Sequence, residues 1–510
     1  MNAELECSLL NGLCRLLYKR EYERFISPCN VSRVQGEYLK SLLKKNADTV
    51  YGRKYGFDGI RSYKDFAERV PLTKYEDYEP YIRAMADGAE NVLTSERVIL
   101  FELTSGSSGG KKLIPYTPSL KREFQRGIKP WLCDIYTKLP EVRAGKSYWS
   151  ITPVTEGKSR TKSGIPVGFE EDAEYFGFIE QGIMQRLFAV DGSVKFPEDM
   201  DRFYFETARQ LLNCGSLTLI SVWNPTFLTI LCNYIRDNAR TLSETLPVSK
   251  RAEFLRNAAE NRFERIFPEL RIISCWADGS AADYIAELKE LFRGVYIQPK
   301  GLLATECFAS FPLVGEEGAR LSVYSHFFEF RRLSDGRIVT AGKLKRGEYE
   351  LIVTTGGGFY RYCIGDIIEV LETYPDRPPR IRFVRRGGVS SDLFGEKLTE
   401  EFVRNTLKKL GISGEFCLLS PYGKHYRLYT TVENITSEAL DNALREGYHY
   451  DYCRKLGQLD QAEIVQITGD PRKDYIDKLA DDGMRVGDIK PAVLSNKSGW
   501  ENYFTERKST

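Results

Sequence analysis

Histidine is scarce in this chain: three in 510 residues, His326, His425 and His449. None is spaced with cysteine or acidic residues as zinc ligation requires, so a structural zinc site is not expected. Eleven cysteines are present, but no Cys-x-x-Cys pair occurs and most have apolar neighbours, which predicts reduced core thiols rather than disulfides. No run of 18 apolar residues exists, and the first twenty residues carry Glu4 and Glu6 where a signal peptide needs a basic start. The chain is therefore expected to be cytoplasmic, with no membrane partner. Excess charge is missing too. Against 71 acidic residues stand 73 basic ones, a net +2, so no global field favours nucleic acid and any anion site has to be local. Internal repeats, heptads and low-complexity tracts are also absent.

What is there begins with 42% hydrophobic residues, enough over this length for a large core and at least two domains. Apolar, β-rich runs at 97–103, 147–152, 217–223, 270–277 and 294–298 alternate with helical patterns at 119–137, 203–213, 225–243, 249–266 and 281–292. That alternation predicts an α/β architecture with substantially parallel strands. In 281–292, for example, Ile285, Leu288 and Phe292, with Tyr284 and Leu291, form one apolar stripe. Before residue 30 an amphipathic helix is expected. From about 320 to 390, shorter strands with the turn signals Ser334-Asp335-Gly336 and Thr355-Gly356-Gly357-Gly358 indicate a β-rich subdomain. Small and polar residues over 385–392 mark a linker. The chain is thus divided into 1–390 and a smaller α+β unit, 391–510.

The stretch Leu103-Thr104-Ser105-Gly106-Ser107-Ser108-Gly109-Gly110-Lys111-Lys112 follows the first apolar run. Glycines let a backbone approach a ligand and turn successive N–H groups toward it, Thr104, Ser105, Ser107 and Ser108 can donate hydroxyl hydrogen bonds, and one or both lysines can offset phosphate charge. This suits a polyphosphate. It is not a Walker A loop, because Gly106 and Gly110 enclose three residues rather than four and Lys111 is followed by Lys112. Two other readings stay open at this point. A Gly/Ser cluster can be a solvated surface loop, and Gly106 to Gly110 also fits Gly-x-Ser-x-Gly, with Ser108 as a hydrolase nucleophile. Gly157-Lys158-Ser159 is not a second phosphate loop, since Thr152 stands where the first Walker glycine belongs.

Four later segments follow in order: Gly301-Leu302-Leu303-Ala304-Thr305-Glu306, Phe359-Tyr360-Arg361-Tyr362-Cys363-Ile364-Gly365-Asp366, Phe383-Val384-Arg385-Arg386 and Gly487-Asp488-Ile489-Lys490-Pro491. With the loop they resemble an adenylate-forming enzyme, and within that superfamily the auxin-responsive-promoter (Gretchen Hagen) type of acyl acid amido synthetase. The likeness runs from Tyr51-Gly52 and Val70-Pro71-Leu72-x-x-Tyr75 to the terminal Gly-Asp-Ile-Lys-Pro. It departs at Gly301-Leu302, where relatives begin with Tyr-Gly or a similar aromatic, and at Cys363, where an arginine is common.

The resemblance implies a large N-terminal adenylate-forming domain, with α/β sheets and a β-rich subdomain, and a small mobile C-terminal lid. It implies ATP and Mg²⁺ as cofactors and, as partners, a small carboxylic acid and an amine or amino acid. Glu306 matches the metal ligand. Thr104, Ser105, Gly106, Ser107, Ser108, Gly109 and Lys112, with Gly279, Ser280, Ala304, Thr305 and Tyr360, would surround the nucleotide. Asp366 would accept the ribose hydroxyls, and Arg385, or Arg386 one register on, would touch ribose or phosphate. Lys490 would reach in from the small domain to stabilise adenylation. Trp223, Asn224, Tyr324 and His326 are the substrate-pocket candidates. The implied activity is an ATP-dependent ligase that forms an acyl-AMP and then an amide. An acyl-CoA ligase is the nearest alternative and a Ser108 hydrolase a remote one.

Overall fold

The computed structural model describes residues 3–105, 111–150, 159–168, 178–195, 199–387, 390–391, 393–394, 396, 398–412, 414–455, 458–484, 486 and 489–506. The predicted parallel sheet is present as Lys146–Trp149, Leu217–Ser221, Ile272–Cys275 and Tyr296–Pro299, side by side in chain order. Its two central strands are buried at every position, which is why they read as continuous apolar runs. Helices Met200–Asn213, Pro225–Asp237, Val248–Ala259 and Ile285–Leu291 lie in the crossovers. Pro225–Asp237 starts where the Asn224 side chain accepts the Thr226 N–H and Pro225 occupies the first turn. The stripe expected over 281–292 divides into a 3₁₀ turn, Gly279–Tyr284, and the helix Ile285–Leu291, with Leu288, Leu291 and Phe292 buried.

The run at 97–103 does not join the parallel sheet. Leu100–Ser105 pairs antiparallel with Lys111–Tyr116 in a separate sheet. Residues 106–110 are enough to close a hairpin, whereas a parallel neighbour would need a crossover of about a dozen residues or more. The β-rich region is a seven-stranded antiparallel sheet between Ser310 and Arg386. Both turn signals fall at its hairpins: 334–336 joins Phe327–Arg332 to Ile338–Thr340, and 355–358 joins Gly347–Thr354 to Tyr362–Glu372.

Beyond residue 390, Cys417–Tyr422, His425–Thr430, Glu463–Thr468 and Thr505–Glu506 make a four-stranded sheet. Its side chains alternate between two cores, as a strand period of two requires. Leu418, Tyr429, Val465 and Ile467 join the core built by helices between 200 and 292, while Cys417, Leu419, Tyr426 and Leu428 pack with Val403, Leu407 and Leu440. Arg472 pairs with Glu287 across the first of these contacts and lies 4.6 Å from the Tyr284 ring centre.

The N-terminal helix Ala3–Ile26 is amphipathic in an unexpected sense. Cys7, Cys14, Tyr18 and Phe25 face the core, and Leu5, Leu9, Leu13, Leu16 and Leu17 face outward. Asn11 fixes that rotation by donating to the carbonyls of Arg143 and Gly145 at 2.9 and 3.0 Å. No helix among the described residues is long and apolar enough to cross a membrane.

Candidate active site

An open parallel sheet exposes strand ends, and ligands bind outside its carboxyl edge. Trp223 and Asn224 follow one strand here, Trp276 to Gly279 the next, and Lys300 the last. Trp276, Asp278, Lys300, Leu302 and Leu303 line an open cleft whose other wall is Phe383, Lys490 and Pro491. The Lys490 ammonium lies 4.7 Å from the centre of Trp276 and 5.5 Å from that of Phe383. Its backbone is held twice: the Asn224 side-chain amide donates to the Ile489 carbonyl at 2.7 Å, and the Tyr475 hydroxyl to the Lys490 carbonyl at 3.0 Å. Gly279 allows the facing walls to meet. Its φ is +59°, and a Cβ there would stand 2.9 Å from the Val384 carbonyl oxygen.

Lys300 is the most unusual group in the cleft. Its ammonium donates to Ser221 Oγ at 2.7 Å and sits 5.0 and 5.1 Å from the ring centres of Trp223 and Trp131. Among the described residues no carboxylate pairs with it, and burial pushes its pKa down to about 7. Asp278 moves the opposite way. Burial pushes its carboxyl up to about 6, against the weaker pull of Arg382 and of the Phe383 N–H. Groups driven toward neutrality inside one cleft mark a place where protons can be exchanged.

From Lys300 the chain leads directly to the acidic part of the site. Leu303–Ala304 and Cys307–Phe308 form a short hairpin with Thr305 and Glu306 at its turn. Glu306 is buried and accepts the Tyr362 hydroxyl at 3.3 Å. Asp366, on the strand Tyr362–Glu372, is buried, and its Oδ1 has no hydrogen-bond partner among the described residues. Burial drives the Cys307 thiol well above its usual range, and the charges of Glu306, Asp366 and Glu123 push it further. The strands that flank the glycine-serine loop are tied to this region through Tyr75. Thr104 and Ser105 end one strand opposite Lys112 and Lys111. Lys112 lies 4.9 Å from the Tyr75 ring centre and 3.8 Å from Glu76, and Tyr75, whose hydroxyl bonds the Leu113 backbone, also feels the charge of Glu306. Gly106, Ser107, Ser108 and Gly109 lie outside the described residues, as does the side chain of Ser280.

Residues 21–249 match the GH3 family N-terminal domain and residues 320–386 the GH3 family central domain. The chain belongs to the GH3 family. It is similar to the indole-3-acetic acid-amido synthetase GH3.3 of Arabidopsis thaliana, at 22% identity over 451 residues, 79% of this chain and 74% of that one. It is likewise similar to the indole-3-acetic acid-amido synthetase GH3.8 of Oryza sativa subsp. indica, at 21% identity over 79% of this chain and 73% of that one. The solved structure of AtGH3.15 acyl acid amido synthetase in complex with 2,4-DB shares its fold, with a TM-score of 0.77 at 19% identity over 98% of each chain.

In this GH3 protein, Lys490 lines the cleft and Trp223, Asn224 and Gly279 border it, Ala304, Thr305 and Glu306 lie on the segment that continues from it, and Asp366 is on the strand Tyr362–Glu372. Four expected residues lie elsewhere. Tyr360 is fully buried in the N-terminal core, stacked on Tyr51 at 5.2 Å and donating to the Leu93 carbonyl, because its ring completes an aromatic cluster with Phe57. Tyr324 packs under Arg24 at 4.2 Å, beside the N-terminal helix. His326 is a core histidine: Nε2 accepts the Phe308 N–H at 2.9 Å and Nδ1 faces Glu123 at 3.0 Å. Arg385 is engaged by Glu348 and Glu401 at 2.9 and 3.1 Å rather than by the cleft. Lys300 and Phe383 were not expected as site residues. A lysine closing the apolar run 294–298, at a predicted strand's carboxyl end, was the available signal for the first.

Proposed function

We propose that this GH3 protein is an ATP-dependent ligase that converts a carboxylic acid to an acyl adenylate, releasing pyrophosphate, and then passes the acyl group to an amine, most simply that of an amino acid, releasing AMP. The observation that carries this reading is Lys490, held by its backbone with its ammonium in a cleft from which residues 300–306 lead to buried Glu306. The names of the relatives, amido synthetases acting on indole-3-acetic acid or acyl acids, favour an amine over a thiol acceptor.

Adenylation brings a carboxylate against a polyphosphate, so negative charge concentrates as the oxygen attacks phosphorus. A fixed ammonium such as that of Lys490 is most valuable at that point. Glu306 fits Mg²⁺, a hard ion that takes one or two carboxylates and fills its other positions with phosphate oxygens and water. The Asp366 carboxylate, with Oδ1 unpartnered among the described residues, fits the hydroxyl donors of a ribose. ATP supplies the leaving group that makes the acyl carbonyl attackable. In the amide-forming step the amine must give up a proton, and Asp278 and Lys300 are the cleft groups that titrate nearest neutrality. In this reading residues 391–510 act as a lid, withdrawing Lys490 between the two steps.

The test is ATP–pyrophosphate exchange over a library of carboxylic acids, followed by an amine panel with mass detection of products. Acid-dependent exchange and an amide product are expected. Exchange without acid dependence, acyl transfer to coenzyme A alone, or labelling of Ser108 by a serine-reactive phosphonate with no need for ATP would reject the reading.

A further inference from the structure

Six of the twelve exposed large apolar side chains among the described residues belong to one element, the helix Ala3–Ile26. Leu5, Leu9, Leu13, Leu16 and Leu17 are 43 to 60% exposed, and their spacing aligns them on one face over three turns, about 18 Å of helix. The face cannot turn inward, because Asn11 and the buried side chains Cys7, Cys14 and Tyr18 fix the opposite side. A contiguous apolar patch of a few hundred Å² on a soluble surface marks a contact site.

We propose that this stripe joins two copies of the chain, their N-terminal helices packed antiparallel about a two-fold axis at the level of residue 11. Three observations favour a second copy. First, the stripe is self-complementary: the antiparallel arrangement sets Leu5 level with the partner's Leu17 and Leu9 level with the partner's Leu13, as an isologous contact requires. Second, the charges are segregated. Glu4 and Glu6 are the only charged residues of the first three turns, and Arg15, Lys19 and Arg20 follow in the next two. Glu6 and Arg20 lie on the outward face with the leucines, and antiparallel packing brings Glu6 toward the partner's Arg20, whereas parallel packing would set Glu6 beside the partner's Glu6. Glu6 also lies 4.0 Å from the exposed Arg186, which borders the same face. Third, the helix carries four acidic and four basic residues, a net charge of zero, and so lacks the basic flanks with which an interfacial helix grips an anionic membrane. Gly12, beside the stripe, leaves open space for a close approach of the two backbones. The stripe is smaller than the about 800 Å² per partner of a standard interface, so the dimer is expected to be reversible, with dissociation on the order of micromolar.

Light scattering and sedimentation across a concentration series test the inference on the full chain. The mass is expected to rise from one chain to two, and Leu9→Glu with Leu13→Glu to remain a monomer with unchanged circular dichroism. Glu6→Lys should weaken association several-fold, and adding Arg20→Glu should restore it. Mixing a Leu9→Cys protein with a Leu13→Cys protein should give more cross-linked heterodimer than either gives homodimer, a readout that does not depend on the glutamate variants. A monomer at all concentrations, association that survives the glutamate pair, preferential 9-to-9 cross-linking, or a monomer that floats with phospholipid vesicles would overturn the proposal.

Discussion

Replacing Lys300 with methionine should make the protein more stable at low pH than at high pH relative to wild type. An ammonium that titrates near 7 instead of at the usual 10.5 has had its charged form disfavoured by roughly 5 kcal/mol, at about 1.36 kcal/mol per pH unit. Unfolded Lys300 still binds its proton between pH 7 and 10.5 while the folded chain does not. Wild-type stability therefore falls as pH drops through that window, and below about 7 the penalty is present in full. Methionine keeps an unbranched stem between Trp131 and Trp223 and carries no charge to bury. It leaves Ser221 Oγ without its donor, a loss of about 1 kcal/mol. Urea unfolding followed by circular dichroism should show Lys300→Met ahead by up to about 4 kcal/mol at pH 6, with the advantage gone by pH 10. A difference that stays constant from pH 6 to 10 would refute the reasoning, because it would mean that no buried ammonium titrates between those limits.

Lys490→Ala should lower acid-dependent pyrophosphate exchange by about 100-fold or more while changing ATP affinity far less, and an unchanged exchange rate would remove Lys490 from the mechanism. Glu306→Gln should raise the Mg²⁺ concentration needed for half-maximal exchange by roughly ten-fold, which a metal titration would show. Gly279→Ala forces a side chain into a left-handed backbone against the Val384 carbonyl and should cost about 1–3 kcal/mol in urea unfolding. Asn224→Ala removes both a helix cap and the tie to Ile489. It should cost about 1 kcal/mol and slow exchange more than it weakens ATP binding, whereas loss of stability alone would show that the tie does not position Lys490.

The strands of the parallel sheet were legible because a strand covered on both faces must be apolar throughout, as Leu217–Ser221 and Ile272–Cys275 are. Apolarity alone could not tell that Leu100–Ser105 belongs to a hairpin, since pairing is decided by the length of chain that follows. Lys490 and Glu306 could be singled out through the order of their motifs, and not by anything local to them. Lys300 could not, because what perturbs it comes from Trp131, Ser221 and Trp223, all far away in sequence. Tyr360 misled for a related reason: nothing local in Phe359-Tyr360-Arg361-Tyr362 distinguishes a ring that stacks on Tyr51 from one that stacks on a base. The outward leucines of the first helix were equally hidden, since either face of that helix could have been the buried one until Asn11 found its carbonyls.

The alternating faces of the C-terminal sheet have a thermal consequence. Leu418, Tyr429, Val465 and Ile467 seal a core whose other half belongs to the helices around 200–292, so any swing of the small unit wets oil-like surface on both sides. Hydrating such surface raises heat capacity. Turnover that depends on the swing should therefore give a curved Eyring plot, and a polar substitution at Val465 should flatten it.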